Sequence, residues 1–172
     1  MMAQAFPQIG LRPFLPADVP ILAAIFAASV EGLTEDDYSE NQRDAWAAVA
    51  DDEEAFGKRL GSQLTLVATL QGSPVGFVSL KGADHLDMLY VHPGAARQGV
   101  ASALCDAIEK LAGARGATRL TVDASDTAEP FFKKRGYAGE SRNTVTVGDE
   151  WLANTTMKKM LAANDQPGER PS

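Results

Sequence analysis

The feature that most constrains the fold is the segment 86–110, where an apolar strand runs through a turn of small residues into an amphipathic helix. Apolar side chains recur in the second half at spacings of three or four, which predicts a helix with one apolar face. These side chains are Val100, Leu104, Ile108 and Leu111. A helix that follows a strand and buries one face favours a layered α/β structure, in which helices cover a sheet.

The turn before this helix has the properties of an anion site. The first N–H groups of a helix lack intrahelical partners, and the helix dipole adds partial positive charge, so anions bind there. Small residues let a phosphate approach the main chain closely, and Arg97 adds a full positive charge. The small residues are Gly94, Ala95, Ala96, Gly99 and Ala101. A tight connection without a ligand explains the same pattern and stays an alternative.

Two nucleotide-binding motifs are excluded by spacing. The sequence contains no GxxxxGK[ST]. Four residues separate Gly94 from Gly99, so this turn is not a GxGxxG motif either. If the turn binds a phosphate group, the ligand belongs to a different class.

Residues 91–101 carry a closer resemblance. Val91-His92-Pro93, followed by Arg97-Gln98-Gly99-Val100-Ala101, resembles the acetyl-CoA signature of the GNAT superfamily of N-acetyltransferases, Gln/Arg-x-x-Gly-x-Gly/Ala. Gly99 and Ala101 match the pattern. Ala96 stands where glutamine or arginine is usual, which removes a side chain and leaves the backbone amides in place.

Other segments extend the resemblance over most of residues 9–161. Residues 128–137 are similar to the A-x-x-F-Y-x-x-x-G-F segment of the superfamily, whose helix lies beside the thioester end of CoA. Residues 74–80 resemble its third strand, and residues 154–161 its last. The resemblance implies a central mixed sheet, mostly antiparallel and splayed, with helices on both faces and CoA in the gap.

The chain is therefore predicted to be one GNAT-like domain over residues 1–161. Residues 162–172 are polar with two prolines, and we expect a disordered tail.

The resemblance also assigns residues to the cofactor. In the family, the strand before the signature is bulged and its backbone pairs with the pantetheine arm, while N–H groups of the turn bind the pyrophosphate. By position, cofactor binding falls to Leu89, Tyr90, Val91, Arg97, Gln98, Gly99, Val100, Ala101, Ser102, Phe131 and Phe132.

Acetyl transfer to an amine requires the ammonium to lose a proton, so a base is useful. His85 lies fourteen residues before Gly99, where some family members place a catalytic glutamate, and a neutral imidazole suits proton abstraction near pH 7. Asp87 is the other catalytic candidate, either as a proton acceptor through water or as a group that binds the substrate cation. A strand-end histidine and an ion-paired carboxylate are the alternatives without a catalytic role.

The sequence gives weaker signals for the acceptor site and for a general acid that would protonate the leaving thiolate. The irregular segment 30–46 is expected to recognise the acceptor, since loops over a rigid scaffold carry specificity, and Tyr38 and Trp46 are its candidate contacts. Phe132 stands where the family usually has an acidic tyrosine, and a phenyl ring donates no proton. The sequence thus predicts an acetyl-CoA-dependent N-acetyltransferase that transfers directly to an amine of a small molecule or a protein. A non-catalytic acyl-CoA-binding module is the alternative.

The composition indicates which classes of binding partner are expected. A formal net charge of −7 argues against nucleic acid and permits a cationic acceptor. Cys105 is the one cysteine, which excludes an internal disulfide and fits the cytoplasm. No cluster of residues has metal-ligand spacing, and no apolar stretch is judged long enough for a bilayer, so neither metal nor membrane is expected. Dimers are common in similar families, which leaves a homodimer open.

Overall fold

The computed structural model describes residues 8–162, so residues 1–7 and nearly all of the predicted tail lie outside the described part. Seven strands form its sheet: β1 Ile9–Pro13, β2 Leu64–Leu70, β3 Ser73–Lys81, β4 His85–Val91, β5 Arg119–Ser125, β6 Ala138–Val147 and β7 Glu150–Met160. Five α-helices accompany them: α1 Val19–Leu33, α2 Glu40–Ala47, α3 Glu53–Gly61, α4 Val100–Ala114 and α5 Glu129–Lys134.

The sheet has the order β1-β2-β3-β4-β5-β7-β6, and its neighbours are antiparallel except for β4 and β5. That parallel pair is joined at only two positions, His85 opposite Thr121 and Leu86 opposite Val122. Both strands continue without further pairing to each other, so the sheet opens between them. The mostly antiparallel, splayed mixed sheet expected from the sequence is confirmed.

Two apolar cores lie on opposite faces of the sheet. The α4-side core contains Leu104 and Ile108 of α4 together with Val122 of β5. The α1-side core contains Phe26 of α1 and Phe77 of β3. Helices therefore cover both faces, as the hydrophobic patterns predict.

The predicted apolar face of α4 is wrong at one position. Leu111 is 37% exposed, whereas Ala112 is fully buried. The buried side chains at 100, 104, 108 and 112 follow a spacing of four, because the row nearest the sheet runs along the i, i+4 ridge of the helix.

By length and composition alone, the stretch Pro16–Leu33 is apolar enough to cross a membrane, contrary to the sequence expectation that no such stretch exists. In the structure it forms a 3-10 turn and α1. Five side chains of α1 are buried in the α1-side core: Leu22, Ala23, Ile25, Phe26 and Val30. The apolar character of this helix thus serves packing against the sheet.

A β-bulge interrupts β4 at Asp87. The register pairs on its two sides are Ser79 with Met88 and Leu80 with Leu86, so Asp87 has no residue opposite it. As a result, Leu89 packs in the α4-side core while Tyr90 packs in the α1-side core. Strict alternation would have placed Leu89 on the same face as His85 and Asp87, and the bulge is the reason that it does not.

The start of α4 packs unusually close to the sheet. A Cβ atom built on Gly76 of β3 would lie 3.0 Å from the carbonyl oxygen of Tyr90 and 3.2 Å from a methyl group of Val100. Only glycine fits this contact without a shift of the backbone. The first turn of α4 is thereby held beside the strand that borders the gap.

Candidate active site

A cavity of about 430 Å³ occupies the place where β4 and β5 part. One end, which we call the α4 end, is lined by Leu89, Val91, Ala101, Phe131 and Phe132. The opposite end, which we call the α1 end, is lined by Tyr38, Trp46, Arg59, His85, Asp87, Tyr90 and Asp123. The cavity therefore passes through the sheet, so that two ligands can meet in it from opposite faces.

The turn before α4 presents a row of free amides. Arg97 and Gly99 both adopt left-handed backbone angles, with φ of 63° and 84°. His92 Nδ1 accepts the N–H of Gly94 at 2.9 Å, which braces the preceding turn. Within residues 8–162, the consecutive N–H groups of 97–102 have no hydrogen-bond acceptor. This arrangement suits a phosphate group at the positive end of the helix dipole.

The edge of β4 that faces the gap is also free. Beyond Leu86, the described residues provide no strand on that side, although β4 continues to Val91. Its main-chain N–H and C=O groups can pair with an extended ligand in the way that an added strand would. The free edge begins at the bulge and ends at the turn.

The two aromatic residues of α5 supply apolar surface and no proton donor. Phe132 is 2% exposed, and its ring centroid lies 5.3 Å from that of Phe131 and 5.1 Å from that of Tyr137. The hydroxyl of Tyr137 donates to Glu109 at 3.1 Å and does not line the cavity. The α4 end therefore receives no tyrosine hydroxyl from α5 or from the residue at its end.

Asp87 lies at the α1 end in a strong ionic contact. Its Oδ2 accepts from Arg59 Nε and from Gln63 Nε2, each at 2.8 Å. Burial acts to raise the pKa of Asp87, but the two hydrogen bonds and the charge of Arg59 outweigh it and lower the pKa below its usual value. The carboxylate is ionised at neutral pH, and its Oδ1 has no hydrogen-bond partner in the described part of the chain.

His85 lies where the gap begins, in the short section in which β4 and β5 still pair. Its Nδ1 is 2.8 Å from Thr121 Oγ1, and its Nε2 is 3.7 Å from Asp123 Oδ2. The imidazole is 28% exposed. It lines the same end of the cavity as Asp87, so the structure brings the two catalytic candidates together.

The two predicted acceptor contacts, Tyr38 and Trp46, also reach this end. Trp46 Nε1 donates to the hydroxyl of Tyr90 at 3.3 Å, and its ring lies 5.3 Å from that of Tyr38. The Tyr38 hydroxyl donates to the Ala153 carbonyl at 2.7 Å and accepts from the N–H of Asp126 at 2.9 Å. Tyr38 thus offers its ring to the cavity, since its hydroxyl is already engaged.

Tyr90 was predicted as a cofactor contact through its backbone, and its side chain lies among the aromatic residues of the α1 end. Burial raises its pKa to about 12. The hydroxyl therefore stays protonated at neutral pH. Its backbone remains on the free edge of β4, which is the part that the family resemblance assigns to the cofactor.

Sequence reasoning missed two polar residues of the α1 end, Arg59 and Asp123, and also Gln63, which contacts Asp87 from outside the cavity. Arg59 lies on α3 and Gln63 between α3 and β2, and both reach Asp87 only through tertiary packing, so no local signal marks them. Asp123 had a signal, because the alternation of β5 sets it apart from its buried neighbours Val122 and Ala124. Within residues 8–162, no group of three or more His, Cys, Asp or Glu side chains is arranged to hold a metal ion.

Comparison with known proteins agrees with this geometry. Residues 34–161 match the family model of the acetyltransferase (GNAT) domain. The chain is 36% identical over 150 residues to the uncharacterized N-acetyltransferase YafP of Escherichia coli, covering 87% of this chain and 95% of that protein. It is 62% identical to a GCN5-related N-acetyltransferase from Rhodopseudomonas palustris, with a TM-score of 0.88 over 94% of this chain and 99% of that one.

A more distant structure shares the fold. The PaiA N-acetyltransferase of Thermoplasma acidophilum, solved in complex with coenzyme A, is 19% identical with a TM-score of 0.73. The match covers 89% of this chain and 99% of that one.

Proposed function

The chain belongs to the GNAT family of acetyltransferases, and from that membership we propose that it transfers the acetyl group of acetyl-CoA directly to a cationic primary amine. The observation that carries the proposal is the cavity at the gap in the sheet, whose lining residues come from both faces. Both substrates can then be bound at once. Direct transfer is supported further by the position of Cys105, which is the one cysteine of the sequence. It is fully buried in the α4-side core and does not line the cavity, so no thiol is placed there to carry the acetyl group.

For the cofactor, we assign the pyrophosphate to the free N–H groups of 97–102 and the pantetheine arm to the free edge of β4. The amides are pre-arranged by the left-handed angles at Arg97 and Gly99, so no reorganisation is needed when an anion binds. Ala101 and Phe131 border the α4 end and offer apolar surface to the arm. Bound acetyl-CoA supplies the thioester that reacts.

For the amine, we assign proton acceptance to His85 and the ordering of a water molecule to Asp87. A carboxylate with a lowered pKa holds a proton poorly, but its unpaired Oδ1 is a good acceptor for water. An imidazole is suited to take up a proton near neutral pH. Water at Asp87 and the imidazole of His85 then form a route by which the proton leaves the cavity.

The leaving thiolate needs no acid from α5. A thiolate is a weaker base than the attacking amine, so it can leave without first taking up a proton. Solvent protonates it after it departs. Phe132 is consistent with this order of steps, because its phenyl ring donates no proton and instead packs between Phe131 and Tyr137. The relatives named above are N-acetyltransferases, and none of them favours the non-catalytic binding module.

The test is release of free thiol from acetyl-CoA in the presence of polyamines, aminoglycosides, amino acids and peptides with free N-termini. We expect release that depends on both the protein and the acceptor, and mass spectrometry should find the acetylated amine. Tight binding of acetyl-CoA without release for any acceptor would contradict the proposal. Reactions without protein measure spontaneous hydrolysis and aminolysis of the thioester.

A further inference from the structure

The charges at the α1 end of the cavity do not cancel. Arg59 and Asp87 neutralise each other through their 2.8 Å contact. Asp123 lines the same end, and the group of opposite charge nearest to it is His85, whose Nε2 lies 3.7 Å from Oδ2. That distance is too long for a hydrogen bond. Within the described residues, the lining therefore keeps one carboxylate without a fixed cation.

Asp123 is held in place by a chain of hydrogen bonds across three strands. Asn143 Nδ2 donates to Thr156 Oγ1 at 2.7 Å, and Thr156 Oγ1 donates to Asp123 Oδ1 at 2.7 Å. An amide nitrogen can only donate, so the hydroxyl proton of Thr156 is directed to the carboxylate. Oδ1 is thereby engaged, and Oδ2 remains available for a ligand.

The position of Asp123 suits the binding of an acetyl acceptor. It follows Val122, the last residue of β5 that pairs with β4, and so it stands where the gap begins. Val122 and Ala124 point into the α4-side core, which places the Asp123 side chain on the α1 face. The side chain is 47% exposed, so a ligand reaches it without any rearrangement.

The rim of the same end is also negative. The segment 35–37 contains Glu35, Asp36 and Asp37, and the residues on either side of it, Thr34 and Tyr38, line the cavity. Asp37 accepts a hydrogen bond from Thr127, another lining residue, which ties this acidic segment to the mouth. A field of this sign attracts cations and repels anionic acceptors.

We propose that Asp123 binds the positive charge of the acceptor amine through Oδ2 and thereby makes the enzyme selective for acceptors that enter as ammonium ions. The inference rests on the proposed transfer function, since it names how that function selects its substrate. An ammonium bound at Oδ2 lies beside His85, the group to which we assign proton acceptance. Binding and deprotonation of the amine then take place at neighbouring side chains.

The test compares two cationic probes, benzylamine and spermidine, with aniline, which is neutral at pH 7.5. Asp123→Asn keeps the shape of the side chain and removes its charge. Asp84→Asn is the matched control, because Asp84 is an exposed carboxylate that lies close in sequence to His85 and does not line the cavity. KM is measured by thiol release, and Kd by calorimetry in the presence of CoA.

With Asp123→Asn we expect KM or Kd for the cationic probes to rise at least tenfold, while the values for aniline and acetyl-CoA stay within about twofold. Thr156→Val, which keeps the charge and removes its hydrogen bond, should give a smaller rise for the cations. Asp84→Asn should change none of these values. A merely structural role of Asp123 would affect aniline and the cations alike.

Equal effects on aniline and the cations, or no effect of Asp123→Asn, would overturn the inference. So would the failure of wild-type protein to bind either cation saturably. If the wild type binds the cations but releases no thiol, the transferase proposal fails by itself, and the Kd values still decide the role of Asp123.

Discussion

Arg59 donates from Nε to Asp87 Oδ2 over 2.8 Å, and this contact joins α3 to the bulge of β4. The bulge turns Asp87 away from the regular ladder, and the guanidinium group then holds its carboxylate at the wall of the cavity. Residues from two distant elements thus define the charge state of one catalytic candidate.

Arg59→Met should move the acid limb of the pH profile of kcat/KM to higher pH. Without the guanidinium group, burial raises the pKa of Asp87 with only the Gln63 hydrogen bond and the smaller influence of His85 to oppose it, so Asp87 is protonated at a higher pH. Because Arg59 is 42% exposed, we expect the free energy of unfolding to fall by only about 1 kcal/mol. Lys58→Met removes a neighbouring cation on the same helix and should leave the limb in place. An unshifted limb in Arg59→Met would mean that Asp87 does not influence the rate.

Gly99→Ala should weaken acetyl-CoA binding and cost about 1 kcal/mol of stability, because an L-residue is strained at its φ of 84°. Gly116→Ala is a matched control with φ of 94° and open space around the added methyl group. The two variants should lose similar stability in urea denaturation. Calorimetry should find a raised Kd for acetyl-CoA in Gly99→Ala alone, and equal Kd values would argue against the free amides as the pyrophosphate site.

Tyr90→Phe should leave the shape of the pH profile of kcat/KM unchanged between about pH 6 and pH 10, because burial raises the pKa of Tyr90 to about 12. Loss of the hydroxyl removes the acceptor for Trp46 Nε1, which should shift the tryptophan fluorescence and destabilise the fold by about 1 kcal/mol. Trp151 is 71% exposed and serves as the internal reference for fluorescence. A lost alkaline limb would instead assign Tyr90 a role in proton transfer.

Asp18→Asn should lower the free energy of unfolding at neutral pH by about 1 kcal/mol. The bidentate contact from Arg12, with both distances at 2.8 Å, lowers the pKa of Asp18 in the folded state. A lowered folded pKa stabilises the protein above the unfolded pKa of about 3.9, and this contribution is lost as the pH falls through the folded value.

The difference between wild type and Asp18→Asn, measured by urea denaturation, should therefore shrink below about pH 4. Asp51→Asn, at an exposed position without an ion pair in the described part of the chain, should show no such dependence. A difference that persists at low pH would mean that packing, and not charge, accounts for the effect of Asp18.

The turn and helix of residues 93–114 were predictable because they are local. Backbone preferences, small residues and apolar periodicity act within a few positions, and α4 begins at Val100 as that pattern indicates. The family resemblance added the splayed sheet, which is confirmed. Leu111 shows the limit of periodicity, since a spacing of three or four does not decide which residue of a helix meets the sheet.

Contacts between distant residues were not predictable in the same way. Asp87 and His85 were recognised as polar residues on one strand, but the partners of Asp87 come from α3 and from the residue before β2, and that of His85 from β5. Whether Asp87 is available as a catalytic group or only forms an ion pair depends on these partners. The sequence held both alternatives open for that reason.

The sequence by itself determined the turn of small residues, the helix after it and the family. These depend on the conformations that short runs of residues prefer, and those preferences can be read along the chain. Only the tertiary structure decided that the bulge separates Asp87 from Leu89, that Arg59 pairs with Asp87, and that Asp123 is left facing the cavity. The charge and direction of a side chain depend on groups brought beside it by folding, and their distance along the chain carries no information about that approach.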